Sequence, residues 1–217
     1  MDSAQENTAQ ILEKKYLTII LPVFNEENTV LKQYENIIAS VTPLKISYEI
    51  IFVDDGSIDQ SFDIIKKIST DDKKVKVIRF RRNFGQTAAI AAGIAYSNGD
   101  IVVMMDADLQ NDARDIAILL EKIDEGYDVV SGWRRQRKDK LLSRKIPSII
   151  ANWLISKVSG IKLHDLGCSL KAYRGDVLRQ VKLYGEMHRF IPIYASWIGA
   201  AITEIPVRHH PRTSGKS

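Results

Sequence analysis

A single cysteine, Cys168, stands among the 217 residues, so neither an intrachain disulfide framework nor a cysteine-ligated zinc site can be built. Long apolar runs are missing too. No uncharged stretch approaches the roughly 18 residues of a spanning helix, and Met1-Asp2-Ser3-Ala4-Gln5-Glu6 has neither the basic nor the apolar region of a secretory signal. The expectation is a soluble or peripheral body in a reducing, cytoplasmic setting. Charge of one sign is in small excess, 31 Lys plus Arg against 27 Asp plus Glu, which gives no ground for a nucleic-acid partner. Three motifs are absent as well: there is no G-x-G-x-x-G after the first strand, no G-x-x-x-x-G-K-[ST] and no G-x-S-x-G. Dinucleotide, P-loop and serine-hydrolase readings lose their main support. The histidines are His164, His188, His209 and His210; on an extended segment the adjacent pair faces opposite ways, which argues against a zinc site.

What is present is enough apolar material, 45% of residues, for one sizeable core, and too little chain for two large domains. After a polar lead over 1–16 come five short apolar, β-branched runs: Leu17 to Val23, Glu49 to Val53, Val75 to Phe80, Ile101 to Met105 and Asp128 to Val130. These read as buried strands. Between them apolar residues fall at helical spacing: Val30, Ile37, Ile38 and Val41; Phe62, Ile65 and Ile68; Ala88 to Ala95; Ile116, Leu119, Leu120 and Ile123. Alternation of this kind predicts an α/β, Rossmann-like, mainly parallel sheet with helices on both faces. From about residue 133 it breaks down, with only a helix near Phe190 to Ile198 and a strand near Ala201 to Val207 expected.

Ligands of such folds bind beyond the carboxyl ends of the strands, and the residues there are distinctive. Asp106-Ala107-Asp108 ends a strand too apolar to carry two carboxylates without a partner for their charge. On an extended segment residues i and i+2 point the same way, so Asp106 and Asp108 can converge on one hard cation, Mg²⁺ or Mn²⁺, with Gln110 as a further oxygen; capping of the next helix is the alternative. Asp54-Asp55-Gly56-Ser57 ends the second strand with a turn glycine, and its carboxylate can accept from a ribose or nucleobase, the alternative being turn and cap chemistry through Ser57 or Asp59. Asn25-Glu26 follows the first strand, where helix-start chemistry is the alternative.

Arg134, Arg135, Arg137, Lys138, Lys140, Arg144 and Lys145 crowd around Asp139 and lead into an apolar stretch, 146–155, that contains Trp153. Clustered cations beside apolar residues suit anionic head groups at a membrane surface. A solvated loop is the alternative. Aromatics are not interleaved with the arginines, so RNA ranks low.

Taken in order, Leu21-Pro22-Val23-Phe24-Asn25-Glu26-Glu27, Val53-Asp54-Asp55-Gly56-Ser57, Arg82-Asn83-Phe84-Gly85-Gln86, Met105 to Gln110, Asp165 to Arg174 and Arg212 to Ser217 resemble the glycosyltransferase family 2 enzymes of GT-A fold, in the branch that glycosylates polyprenyl phosphates. The resemblance implies one catalytic domain over 17–217, with 133–160 at the membrane surface, acting on the cytoplasmic face of a membrane. It implies an inverting transfer of sugar from a nucleoside diphosphate, UDP or GDP, to a polyprenyl phosphate. Pro22, Phe24, Glu26, Val53, Asp55, Asp106 and Ala107 would line the nucleotide site; Asp106, Asp108 and Gln110 would hold the metal; Arg212 would reach the diphosphate. Arg134, Arg144 and Ser148 match positions that grip the acceptor phosphate, and Asp165, with Asp108, matches the catalytic carboxylates. Some relatives carry an aspartate where this chain has Cys168, and Asp165 is the preferred carboxylate. A phosphate monoester is mostly dianionic at pH 7, so Asp165 need only orient or assist the nucleophile. Relatives usually continue into membrane helices, so the expectation is a truncated chain or one anchored by a partner. Glycan extension at a hydroxyl and a catalytically silent nucleotide-sugar-binding or membrane-surface module are the competing readings.

Overall fold

The structure is a computed structural model that describes residues 15–135, 161 and 163–212. Strand β1 (Tyr16–Val23) sends Leu17, Ile19, Leu21 and Val23 into one core cluster and Ile20 into another. β2 (Ser47–Asp54) repeats the pattern, with Ile50 and Phe52 on one face and Ile51 and Val53 on the other. A strand buried on both sides favours apolar residues on both faces, and that is why these runs are nearly continuous rather than alternating, with buried Thr18 and Glu49 as polar exceptions. β3 (Val75–Arg79) and β4 (Ile101–Met104) complete the parallel set.

Helices close both faces. α1 (Val30–Val41), α2 (Ser61–Asp71) and α4 (Ile116–Asp124) cover the first face through residues such as Ile37, Ile65 and Leu119. α3 (Gln86–Tyr96) covers the second with Ala89, Ile90 and Ile94. The spacing of apolar residues anticipated all four helices. Tyr16, expected in the polar lead, instead opens β1 and pairs with Ser47.

Beyond α4 the helix expected near Phe190 to Ile198 and the strand expected near Ala201 to Val207 are both found, and two features depart from the expectation. β5 runs over Val129–Trp133, further than the expected Val130, because Ser131, Gly132 and Trp133 pair with β7 (Ile202–Pro206). β6 (Lys171–Arg174) is a four-residue strand wedged between β4 and β5 and antiparallel to both. Short helices α5 (Gly175–Leu178) and α6 (Ile191–Trp197), the latter entered through a 3₁₀ turn at Met187–Phe190, extend the second face. The sheet has seven strands in the order β3-β2-β1-β4-β6-β5-β7, and only β6 runs against the rest. The carboxyl ends of β1, β2 and β4 therefore share one edge, which gathers the three acidic segments singled out above.

Candidate active site

At that edge a cavity of about 290 Å³ is lined by Pro22, Phe24, Glu26, Asp55, Gln86, Asp106, Ala107, Asp108 and Arg212, among others. Every residue expected at the nucleotide site lies on its wall except Val53. Val53 is fully buried in the second core cluster with Ile51 and Ile90, so its work is packing beneath the site.

The wall is assembled by hydrogen bonds between loops distant in sequence. Asp55, buried at the end of β2, accepts from the backbone N–H groups of Phe84 (2.7 Å) and Gly85 (2.9 Å). Gly56 makes this approach possible. It has φ of +73°, and a Cβ there would lie 2.4 Å from the Arg82 carbonyl carbon. The loop so fixed opens α3, and Gln86 donates from Nε2 to Asp106 Oδ1 at 2.9 Å. The helix after this turn has Gln60 at its N-cap without a side-chain cap bond, so neither expected residue caps it; Asp59, one position earlier, accepts from the Ser61 N–H. Ser57 instead receives the Asn25 N–H on its hydroxyl, and Asn25 takes a left-handed φ of 56°.

Asp106 and Asp108 line the same two cavities, but not through extended backbone: β4 ends at Met104, and residues 107–109 form a bend with Leu109 at φ 64°. Asp108 is buried, and burial together with the Asp106 charge pushes its carboxyl up to about 6, against the opposing Gln110 N–H and Arg212. Two carboxylates that repel one another in a cleft are a donor set for a hard divalent cation, so the residues fit Mg²⁺ or Mn²⁺. The Gln110 side chain lies nearby on the wall of a second, larger cavity, its Nε2 3.5 Å from the His210 carbonyl. Among the described residues no group of three or more His, Cys, Asp or Glu side chains gathers as a metal cage.

The second cavity, about 580 Å³, shares Asp106, Asp108 and Arg212 with the first and adds Arg134, Lys171, Tyr173, His188 and Arg189. Arg134 grips Asp165 with two parallel bonds, Nε to Oδ2 at 2.7 Å and Nη2 to Oδ1 at 2.9 Å. One residue expected at the acceptor, Arg134, and one expected in the chemistry, Asp165, thus form a bidentate pair, and Asp165 stands behind Arg134 rather than on the cavity wall. Glu204 fixes the backbone of this segment, accepting from the N–H groups of His164 and Asp165. Cys168 is buried and its thiol is pushed up to about 11 by burial, so it presents no charge in place of a carboxylate. Arg144, Ser148 and the apolar stretch 146–155 lie outside the described residues.

Arg212 reaches the first cavity at the end of a strap. Arg208 pairs with Asp115, His210 Nε2 lies 3.1 Å from Asp112 Oδ2, and Arg212 Nη2 donates to Glu26 Oε1 at 2.9 Å. Reading by strand ends did not assign roles to Gln86, Lys171, His188 or Arg189. The one local signal was Lys171 itself, a cation inside the otherwise apolar Leu170-Lys171-Ala172-Tyr173.

A family model described as Glycosyl transferase family 2 matches residues 18–182. The chain is similar to a dodecaprenyl-phosphate galacturonate synthase of Rhizobium johnstonii, 43% identical over 205 residues that make up 93% of this chain and 61% of that protein. It is 37% identical over 204 residues to an undecaprenyl-phosphate 4-deoxy-4-formamido-L-arabinose transferase of Edwardsiella ictaluri, covering 94% of this chain and 62% of that one. The chain thus spans about three fifths of the length of these relatives. Among solved structures, glucosyl-3-phosphoglycerate synthase from Mycobacterium tuberculosis in complex with Mn²⁺ and uridine-diphosphate-glucose aligns with a TM-score of 0.69 at 21% identity, over 95% of this chain and 75% of that one. A mannosyltransferase from Pyrobaculum calidifontis in complex with GDP-Man and Mn²⁺ aligns at 0.66 and 17%, over 94% and 64%. At these identities the likeness is one of fold.

Proposed function

The chain belongs to glycosyl transferase family 2 and has the GT-A fold, and from that membership we propose that it moves a sugar from a nucleoside diphosphate to the phosphate of a polyprenyl lipid at a membrane surface. The observation that carries this reading is the junction of two cavities at Asp106 and Asp108, one walled by the strand-end loops and one walled by Arg134, Lys171, His188 and Arg189. A nucleotide fits the first and an anionic acceptor the second. The identity to two polyprenyl-phosphate sugar transferases supports the acceptor class. One catalytic domain over 17–217 follows from this reading, with 133–160 as its membrane-surface segment.

In the reaction an oxygen of the lipid phosphate forms a bond to the anomeric carbon while the bond from that carbon to the diphosphate oxygen breaks, with inversion. Asp106 and Asp108, with Gln110, would hold Mg²⁺ or Mn²⁺, which when bound neutralises charge on the departing diphosphate. Arg212, which is bonded to Glu26, would supply positive charge to the diphosphate on exchanging that partner. Gln86 holds Asp106 in place. Asp165 orients Arg134, whose remaining N–H donors face the acceptor phosphate; the phosphate is already dianionic at pH 7, so no strong base is required.

The test is release of nucleoside diphosphate from a panel of UDP- and GDP-sugars. Release is expected to need both a divalent cation and a polyprenyl phosphate, and Asp108→Ala should lower kcat by about a hundredfold or more. Equal turnover with a sugar hydroxyl as acceptor would overturn the lipid assignment.

A further inference from the structure

Lys171 opens β6, pairs with Met104 of β4 and Ser131 of β5, and is 4% exposed. Among the described residues no carboxylate forms an ion pair with it. Its ammonium instead donates to the carbonyl of Leu166 at 3.1 Å and to that of Cys168. These carbonyls belong to the turn that begins at Asp165, where the Cys168 N–H also bonds back to the Asp165 carbonyl.

Burying an ammonium without a counter-ion is costly, and a methionine would fill the same space without that cost. A cation is retained where carbonyls need a donor or where its field is useful. Both conditions hold here. Lys171 lines the larger cavity beside Arg134, and burial pulls its pKa below the ordinary lysine value, opposed by Cys168, Asp165 and Asp106. The turn it pins carries the carboxylate that orients Arg134.

We propose that Lys171 is a positioning residue: by holding the carbonyls of Leu166 and Cys168 it fixes the 165–168 turn, and through it the Asp165–Arg134 pair that faces the acceptor. The proposal deepens the reading of this site as an acceptor cavity and rests on it for the catalytic effect alone. Lys171 acts through Asp165, so its loss and the loss of Asp165 should overlap rather than multiply.

The experiment compares Lys171→Met, Asp165→Asn and the double variant with the wild type, by hydrogen exchange and by steady-state kinetics with a polyprenyl phosphate acceptor. Lys171→Met is expected to raise exchange at residues 165–168 by about tenfold while the protection of β1 and β2 is kept. It should lower kcat roughly a hundredfold with little change in donor KM, and the double variant should be no slower than the slower single one. Lys171→Arg should restore most of both signals, and Lys171→Gln serves if the Met variant does not fold. Unchanged exchange at 165–168, or losses that multiply in the double variant, would overturn the proposal. A wild type inactive with every donor and lipid phosphate counts against the function assigned to the site, while the exchange result still decides whether Lys171 pins the turn.

Discussion

Asp55 has both carboxylate oxygens engaged by backbone N–H groups, of Phe84 and Gly85. Its first task is therefore to hold a loop, and the placement of Gln86 on Asp106 depends on it. Asparagine at this position turns an N–H₂ toward a backbone N–H, one bond is lost, and a donor is left facing a donor. Asp55→Asn is expected to cost about 2 kcal/mol of stability and to weaken nucleotide-sugar binding, to be read by urea unfolding and by calorimetry. Arg212 makes the contrasting case. It is partly exposed at its pair with Glu26, where an ion pair adds at most about 1 kcal/mol to stability. Arg212→Ala should leave Tm nearly unchanged while donor Kd rises by roughly tenfold, the size of one charge-assisted contact to phosphate.

Strand β2 and helix α3 carry constraints of their own. Glu49 lies in β2 with its carboxylate buried, accepting from Thr18 Oγ1 at 2.7 Å and from the Asn98 N–H at 2.8 Å and pairing with Lys76. Burial alone would raise its pKa, but the Lys76 contact and the two hydrogen bonds outweigh burial and hold it below the ordinary 4.5. The folded value lies below the unfolded one, so this stabilisation is complete above the unfolded value and is lost as pH falls through the folded value. Glu49→Gln should lower the urea midpoint at pH 7 and flatten its decline below about pH 4.5, as a midpoint series over pH would show. In α3, Gly93 faces β1, and a Cβ there would lie 2.4 Å from Ile20 Cγ2. Alanine is normally the better helix former by about 1 kcal/mol; here the β-branched Ile20 cannot swing away, and Gly93→Ala should cost about 1–3 kcal/mol. Ile20→Ala removes that Cγ2, so Gly93→Ala combined with Ile20→Ala should cost less than the sum of the two single losses in denaturant melts.

At the scale of the whole molecule, one antiparallel strand reshapes the site. β6 separates β4 from β5, and the segment that precedes it, 163–170, is thereby carried to the same edge as Asp106 and Asp108. From the other direction the chain after β7 returns over the site, lashed by Arg208 to Asp115 and by His210 to Asp112. The Arg114 hydrogen bond, with help from His210 and Arg208, holds the Asp112 carboxyl well below the usual carboxylate range. The two cavities meet only because both ends of this second half fold back on the first.

The alternation of apolar strands and helices up to residue 130, the double burial of β1 and β2, and the acidic strand ends were all readable from the chain. Each is a local consequence of backbone geometry: period two or period 3.6 in the pattern of apolar residues, and carboxylates where an apolar run stops. Four features were not readable: β6, the extension of β5 to Trp133, the pairing of Asp165 with Arg134, and the strap that brings Arg212 to Glu26. Their partners are distant in sequence, β6 is short and carries a cation at each end, and no local period encodes which distant group a side chain will meet. Val53 marks the boundary between the two kinds of knowledge. Family resemblance puts it at the site, and only the packing of the sheet turns its side chain into the core.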